Sequence, residues 1–288
     1  MKRLFERVSI IGVGLLGGSI GLAAKKYNVA GSIAGIGRNE ERLKRALDKG
    51  AVDEITTDLA AGVRDSELIL LCLPVEKIIE FLPDVIAHCS EGTLINDVGS
   101  AKKKIVETGE NLCKDKNIWF IGSHPLAGSH KTGVEHATPT LFKGATCFIT
   151  VTEKTPEAQL HRIVGFWKKL HARPFILKPE RHDYLIATTS HAVHLIAATL
   201  AKTVGSLEED QNLLRLIVGS GFKDSTRIAA GDVDLWVEIC RQNSKAILDA
   251  LERFDIEMQE LRHIISQGDF EQLRDFLSRA CTLRRQLD

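Results

Sequence analysis

The sequence predicts an α/β protein with two domains: an N-terminal doubly wound domain over residues 1–175 and an all-α domain over residues 176–288. Three observations carry this. The first half alternates short apolar runs with helical patterns, the rhythm of a parallel sheet covered on both faces. A glycine-rich hexapeptide follows the first apolar run directly. Beyond Pro179 the chain has no proline and sets apolar residues at helical spacing. A length of 288 residues suits about two domains at roughly 100–200 residues each.

In chain order, residues 8–11 (Val-Ser-Ile-Ile) read as a strand and residues 15–26 as a helix. A second strand is expected at 33–36, followed by a helix over about 39–49. Residues 68–73 (Leu-Ile-Leu-Leu-Cys-Leu) form a continuous apolar run ending at Pro74, as suits a strand buried on both faces. A helix at 75–87 and strands at 93–96, 118–121 and 144–151 continue the alternation. Thr155-Pro156-Glu157 opens a helix with a capping hydroxyl, a proline at the first position and an early acid. A short apolar run near Phe175 precedes the change to helical texture. That texture includes residues 233–265 and a last amphipathic helix to about 283, after Gly268-Asp269.

The composition excludes several partners. Lys plus Arg and Asp plus Glu are both 38, and each half of the chain lies within one charge of neutral. A nucleic-acid surface or a polybasic membrane patch would show a basic excess, so neither partner is expected. No run approaches the roughly 18–20 apolar residues of a membrane span, and charge returns at Glu6 before any signal-peptide core could form. Six scattered cysteines without a C-x-x-C pair read as buried thiols of a reducing compartment, and the expected location is cytoplasmic.

Gly12-Val13-Gly14-Leu15-Leu16-Gly17 matches G-x-G-x-x-G between a strand and a helix, where a dinucleotide fingerprint must sit. Gly12 allows the tight turn, Gly14 lets backbone approach a pyrophosphate, and Gly17 lets helix and strand pack closely. The pyrophosphate then meets the free N–H groups of the helix N-terminus. At the end of the second strand, Gly35-Ile36-Gly37-Arg38-Asn39 lacks the acid that usually holds the ribose hydroxyls of NAD. Arg38 suits a 2′-phosphate, so NADP is the expected preference, with NAD possible. An arginine that faces solvent or stacks on adenine would also permit NAD.

Eight of the ten histidines fall between His124 and His194. His124 is expected in a loop after the last strand of the first domain, beyond the carboxyl ends of the strands where ligands bind, and a neutral imidazole there could take a substrate proton. His182-Asp183 opens a helix. His191 and His194, and Ser190 and His194, share a helical face by spacing. No nearby Cys or Glu completes a metal set, so no metal is expected and substrate or interface hydrogen bonding is favoured. Arg227, among small and apolar residues, is a candidate carboxylate fork, and pairing with Asp224 is the structural alternative.

Together these residues resemble the prephenate/arogenate dehydrogenase family of tyrosine biosynthesis, from Ile10 to about Asn243. The resemblance rests on the segments 97–102 (Asp-Val-Gly-Ser-Ala-Lys), 123–128 (Ser-His-Pro-Leu-Ala-Gly), His182-Asp183, 190–194, and 221–229 (Gly-Phe-Lys-Asp-Ser-Thr-Arg-Ile-Ala). It implies an N-terminal Rossmann domain, a C-terminal helical domain that forms a homodimer, and oxidative decarboxylation of prephenate or arogenate. On the matching positions His124 would be the base, with Ser100 holding the same ring hydroxyl near the nicotinamide. Arg227 would anchor a substrate carboxylate, and Ser129, Ser190, His191 and His194 would line the pocket. The cofactor would lie against Gly12, Gly14, Leu15, Leu16, Gly17, Arg38, Asn39, Leu73, Pro74, Asp97 and Ser100.

The chain departs from the family pattern in three places. Ala192-Val193 stands where many members have Leu-Pro, and the loss of proline should straighten the helix. His130 stands where many have an acid after Ser129, and the end of the second strand lacks its acid. No regulatory or fused mutase domain is expected after residue 288, so inhibition by tyrosine would act at the active site. Two rival readings are a β-hydroxy acid dehydrogenase using Lys202 and a non-catalytic dinucleotide sensor.

Overall fold

The computed structural model describes residues 3–128, 131–207 and 209–287. Its strands are β1 (Phe5–Ile11), β2 (Ala30–Ile36), β3 (Glu54–Thr56), β4 (Leu68–Leu71), β5 (Leu94–Asp97), β6 (Trp119–Pro125), β7 (Thr146–Thr150) and β8 (Arg173–Leu177). They form one sheet in the order β3-β2-β1-β4-β5-β6-β7-β8. Every neighbouring pair is parallel except β6 and β7. The apolar run at 68–71 shows why: all four residues of β4 are fully buried. Leu68 and Leu70 enter one core and Ile69 and Leu71 the other, so both faces need apolar side chains.

The covering helices are α1 (Leu15–Lys26), α2 (Glu40–Asp48), α3 (Leu59–Val63), α4 (Val75–His88), α5 (Lys103–Cys113) and α6 (Glu157–Lys169). Three elements were not expected from sequence. β3 and α3 are too short to show a period, and the lysine-rich start of α5 masks its buried face of Ile105, Val106 and Gly109. The remaining helices are α7 (Pro179–Ile186), α8 (Ala192–Gly205), α9 (Gln211–Ile217), α10 (Ser220–Thr226), α11 (Val233–Gln242), α12 (Ser244–Gln267) and α13 (Phe270–Gln286).

Packing divides the chain into two compact units, Met1–Ile186 with Ala230–Asn243, and Ala187–Ala229 with Ser244–Asp288. The expected cut at 175/176 differs from this, because α7 and α11 belong with the sheet. Helix α11 docks on α4: the Glu238 carboxylate accepts the Glu76 N–H at 2.5 Å, and Arg241 pairs with the Glu76 carboxylate at 2.6 Å. The second unit is wholly helical, with α8 against α10 and α12, and α12 against α13.

The helix segment before α8 also departs from expectation. Ala187–His191 forms a π-helical turn, so the missing proline does not leave a plain straight helix. Among the described residues, the helical run Pro179–Gly205 is long and apolar enough to cross a membrane by length and composition. It carries no unbroken apolar run in the sequence, because uncharged Thr, Ser and His residues interrupt it. The polar residues His182, Asp183, His191 and His194 are buried within it.

Close helix packing rests partly on Gly21, whose hypothetical Cβ would collide with the Ala51 carbonyl oxygen. Gly21→Ala is expected to destabilise the fold by about 1–3 kcal/mol, read as a lower midpoint in thermal or urea unfolding. An unchanged midpoint would show that this approach is not tight.

Candidate functional site

The strand order reverses between β1 and β4, and the crevice beyond their C-terminal ends is where this architecture binds ligands. Gly12 leaves β1 with φ +92°, and a Cβ there would meet the Cys72 carbonyl oxygen at 2.5 Å. A Cβ at Gly17 would collide with the Gly12 carbonyl, so the helix can cross the strand end only at glycine. Gly14 caps α1 and has no atom within 4 Å of its hypothetical Cβ, which leaves open space for a ligand to approach backbone. Helix α1 opens with no side-chain cap and no acid in its first turn. Its first N–H groups, from Leu15 to Gly17, therefore suit an anion. These residues fit the pyrophosphate of a dinucleotide.

Other expected cofactor residues line the same edge of the sheet. Arg38 and Asn39, beyond β2, are exposed, and Asn39 Oδ1 accepts the Arg42 N–H at 2.9 Å to cap α2. Leu73 is half-buried and Pro74 is exposed at the start of α4. Ser100 is half-buried just beyond β5. Asp97 is different: it has no exposed surface, and its carboxylate binds the Lys102 ammonium and the Gly99 N–H at 2.8 Å. In this structure it shapes the loop that carries Ser100 and presents no surface to a ligand.

His124 lies on β6 itself, not in a loop after it. Antiparallel pairing with β7, which sets His124 opposite Phe148, extends the strand to Pro125. The preceding residue is clamped from three sides. Ser123 Oγ accepts from Asn96 Nδ2 at 2.8 Å and Trp167 Nε1 at 3.1 Å, and its carbonyl accepts from Lys102 Nζ at 2.8 Å. The half-buried His124 ring meets His182, with Nδ1 and Nε2 2.9 Å apart. His182 Nδ1 lies 2.7 Å from Asp183 Oδ1. The Asp183 carboxylate also accepts the Lys102 N–H at 2.8 Å and the Lys103 N–H at 2.9 Å, at the N-terminus of α5.

His182, Asp183 and Lys102 carry no assigned role from sequence alone. The available signal was an ionisable pair at the start of an otherwise apolar helix, and a lysine within the motif of Asp97. Burial, against the pull of Asp183, holds the His182 imidazole below its ordinary range. Burial also pushes the Asp97 carboxyl up and the Lys102 ammonium down, and their mutual attraction opposes both shifts.

The remaining expected residues belong to the helical unit. His191 and His194 are buried, and burial lowers the His194 imidazole. Ser190 is exposed, so it does not share their buried face, because the π turn shifts the register between it and His194. Arg227 is exposed at the end of α10, and among the described residues it forms no salt bridge with Asp224. Lys202 is exposed in the last turn of α8. Ser129 and His130 lie outside the described residues. Among the described residues no group of three or more His, Cys, Asp or Glu side chains could hold a metal ion.

Two family profiles match the chain: prephenate dehydrogenase, nucleotide-binding domain, over residues 20–176, and prephenate dehydrogenase, dimerization domain, over residues 178–279. The prephenate dehydrogenase of Bacillus subtilis strain 168 is 32% identical over 275 residues, 95% of this chain and 74% of that protein. Among solved structures, the chain is similar to prephenate dehydrogenase from A. aeolicus in complex with hydroxyphenyl propionate and NAD+. The TM-score is 0.92 at 30% identity, covering 98% of each chain. Synechocystis arogenate dehydrogenase gives a TM-score of 0.86 at 27% identity, covering 98% of this chain and all of that one.

Because burial lowers the His182 and His194 imidazoles in the folded state, it binds fewer protons than the unfolded chain as pH falls through the unfolded histidine value of about 6.5. Stability should be level above that pH and decline below it. The thermal midpoint is expected to drop by roughly 2–4 °C between pH 7 and about 5.5, and less steeply in His182→Phe. An equal slope in the two proteins would remove His182 as a source of the effect.

Proposed function

The chain belongs to the prephenate dehydrogenase family, and on that premise we propose that it oxidatively decarboxylates prephenate or arogenate, with hydride transfer to a nicotinamide cofactor. The observation that carries this reading is the placement of His124. It stands at the ligand-binding edge of a dinucleotide fold, clamped through Ser123 and backed by His182 and Asp183. A bound nicotinamide supplies the hydride acceptor. The N-terminus of α1 holds the pyrophosphate, and Gly12 and Gly17 keep that helix close to β1.

His124 accepts the proton of the ring hydroxyl as that oxygen forms a carbonyl and hydride leaves the same carbon. The bond to the ring carboxylate then breaks, carbon dioxide departs, and its electron pair aromatises the ring. The resulting phenolate oxygen takes the proton back from His124, so no net proton is stored on the enzyme. Ser100 holds the hydroxyl, and Arg227 supplies a planar fork for a substrate carboxylate. Ser129, Ser190, His191 and His194 complete the substrate contacts.

NADP is the proposed preferred cofactor. The support is the exposed guanidinium of Arg38 at the end of β2, where no acid stands to repel a 2′-phosphate. A homodimer through the helical unit is the proposed assembly. Helices α12 and α13 expose Leu248, Ile256, Phe270, Leu277 and Leu283, apolar surface that a second copy would cover. Six free thiols fit a reducing compartment, and the proposed location is the cytoplasm.

The purified chain should reduce NADP with prephenate or arogenate, followed as absorbance of the reduced cofactor. No turnover with either substrate and either nicotinamide would sink the reading. In the same assay His124→Asn is expected to lower kcat by about 100-fold or more with a small change in KM; an unchanged kcat removes it as the base. Arg38→Asp is expected to cut kcat/KM for NADP by roughly 10–100-fold while sparing NAD. An equal loss with both cofactors would contradict the 2′-phosphate assignment.

A further inference from the structure

We propose that His182 and Asp183 are positioning residues that set the tautomer of His124, leaving its Nε2 as the nitrogen that accepts the substrate proton. The proposal rests on the reading of His124 as base. It follows from counting donors along one line of contacts. The Asp183 carboxylate takes two backbone N–H groups from the start of α5 and has no proton to give. His182 Nδ1, 2.7 Å from that carboxylate, must therefore be the protonated nitrogen. A neutral His182 then has a bare Nε2, which can only accept. Among the described residues, the donor that meets it at 2.9 Å is the His124 Nδ1–H. A neutral His124 protonated at Nδ1 carries its lone pair on Nε2.

The opposite order fails on electrostatics. With His182 protonated only at Nε2, two acceptors would face each other at 2.7 Å across the Asp183 contact. With both its nitrogens protonated, a charged imidazolium would be fully buried beside the Lys102 ammonium. Among the described residues, the groups around the pair include Asp97 from β5, Lys102 from the start of α5, Cys147 and Phe148 from β7, and Asp183 from α7. Phe148 stands edge-on to His182, with ring centroids 5.4 Å apart at 84°, and fixes the plane in which His182 meets His124.

The arrangement also favours the proton transfer itself. Once His124 has taken a proton, its Nδ1–H bond to His182 becomes charge-assisted and stronger. Loss of the acceptor at His182 should therefore weaken His124 as a base and move the acidic limb of the kcat/KM profile to lower pH.

The test uses the full chain with His182→Phe and His182→Gln, steady-state kinetics across pH, and ¹⁵N shifts of the histidine side chains. His182→Phe is expected to lower kcat about 100-fold with KM within about threefold, and to shift the acidic limb downward. His182→Gln keeps a carbonyl that can accept the Nδ1–H and should recover about tenfold of that loss. The wild-type spectrum should show His124 protonated at Nδ1 and bare at Nε2. A Phe variant with near-normal kcat and an unmoved limb overturns the proposal, as does an Nε2–H tautomer in the wild type. If the Phe variant does not fold, the Gln variant and the wild-type spectrum still decide it. Absence of turnover in the wild type would count against the reaction, while the ¹⁵N tautomer would still judge the positioning role.

Discussion

The Asp183 carboxylate takes three contacts at once: two backbone N–H groups at the start of α5 and the imidazole of His182 beside it, which in turn meets β6 at His124. Each bond to such a charged acceptor is worth about 1.5–3 kcal/mol. Their larger effect is geometric. A helix N-terminus needs an acceptor, a buried imidazole needs a partner for each nitrogen, and one side chain answers both needs. Asn243, at the end of α11, donates to the Asp183 carbonyl at 2.9 Å, so the later chain segment is tied to the same point.

Behind that line lies a second buried pair, Lys102 with Asp97, both without exposed surface. Burying two charges costs more than a surface pair returns, and removal of either would strand the other. The pair therefore specifies geometry. Lys102 reaches the carbonyl of Ser123, next to His124, while Asp97 holds the Gly99 N–H, next to Ser100. The two residues proposed to contact the ring hydroxyl thus stand on a strand and a loop held by one ion pair. The cofactor edge works differently. There helix α1 opens with no side-chain cap and no atom near the hypothetical Cβ of Gly14, which suits the proposed pyrophosphate contact.

Local pattern made much of this legible. Residues 68–71 are apolar at every position because both faces of β4 are buried, and that alone signals a sheet covered on two sides. Gly12, Gly14 and Gly17 announce their role because each position forbids or forgoes a Cβ for a local reason. Short elements such as β3, and α5 with its run of lysines, carry too little period to be read. The extension of β6 through His124 depends on a partner strand more than twenty residues away, which no local window contains.

The sequence by itself determined the doubly wound sheet, the helical remainder, the dinucleotide turn and the candidacy of His124, since each follows from neighbours within one or two turns of chain. It also suggested a cut at 175/176 and a helix straightened at Ala192-Val193. Tertiary packing instead places α7 and α11 with the sheet and sets a π turn at Ala187–His191. Only the folded chain brings His182 to His124 across 58 positions and Asp183 to Lys102 across 81. The physical reason is that tautomer, burial and charge pairing are properties of contacts. Those contacts join side chains from β5, β6, α5 and α7, and their spacing along the chain holds no period from which to infer them.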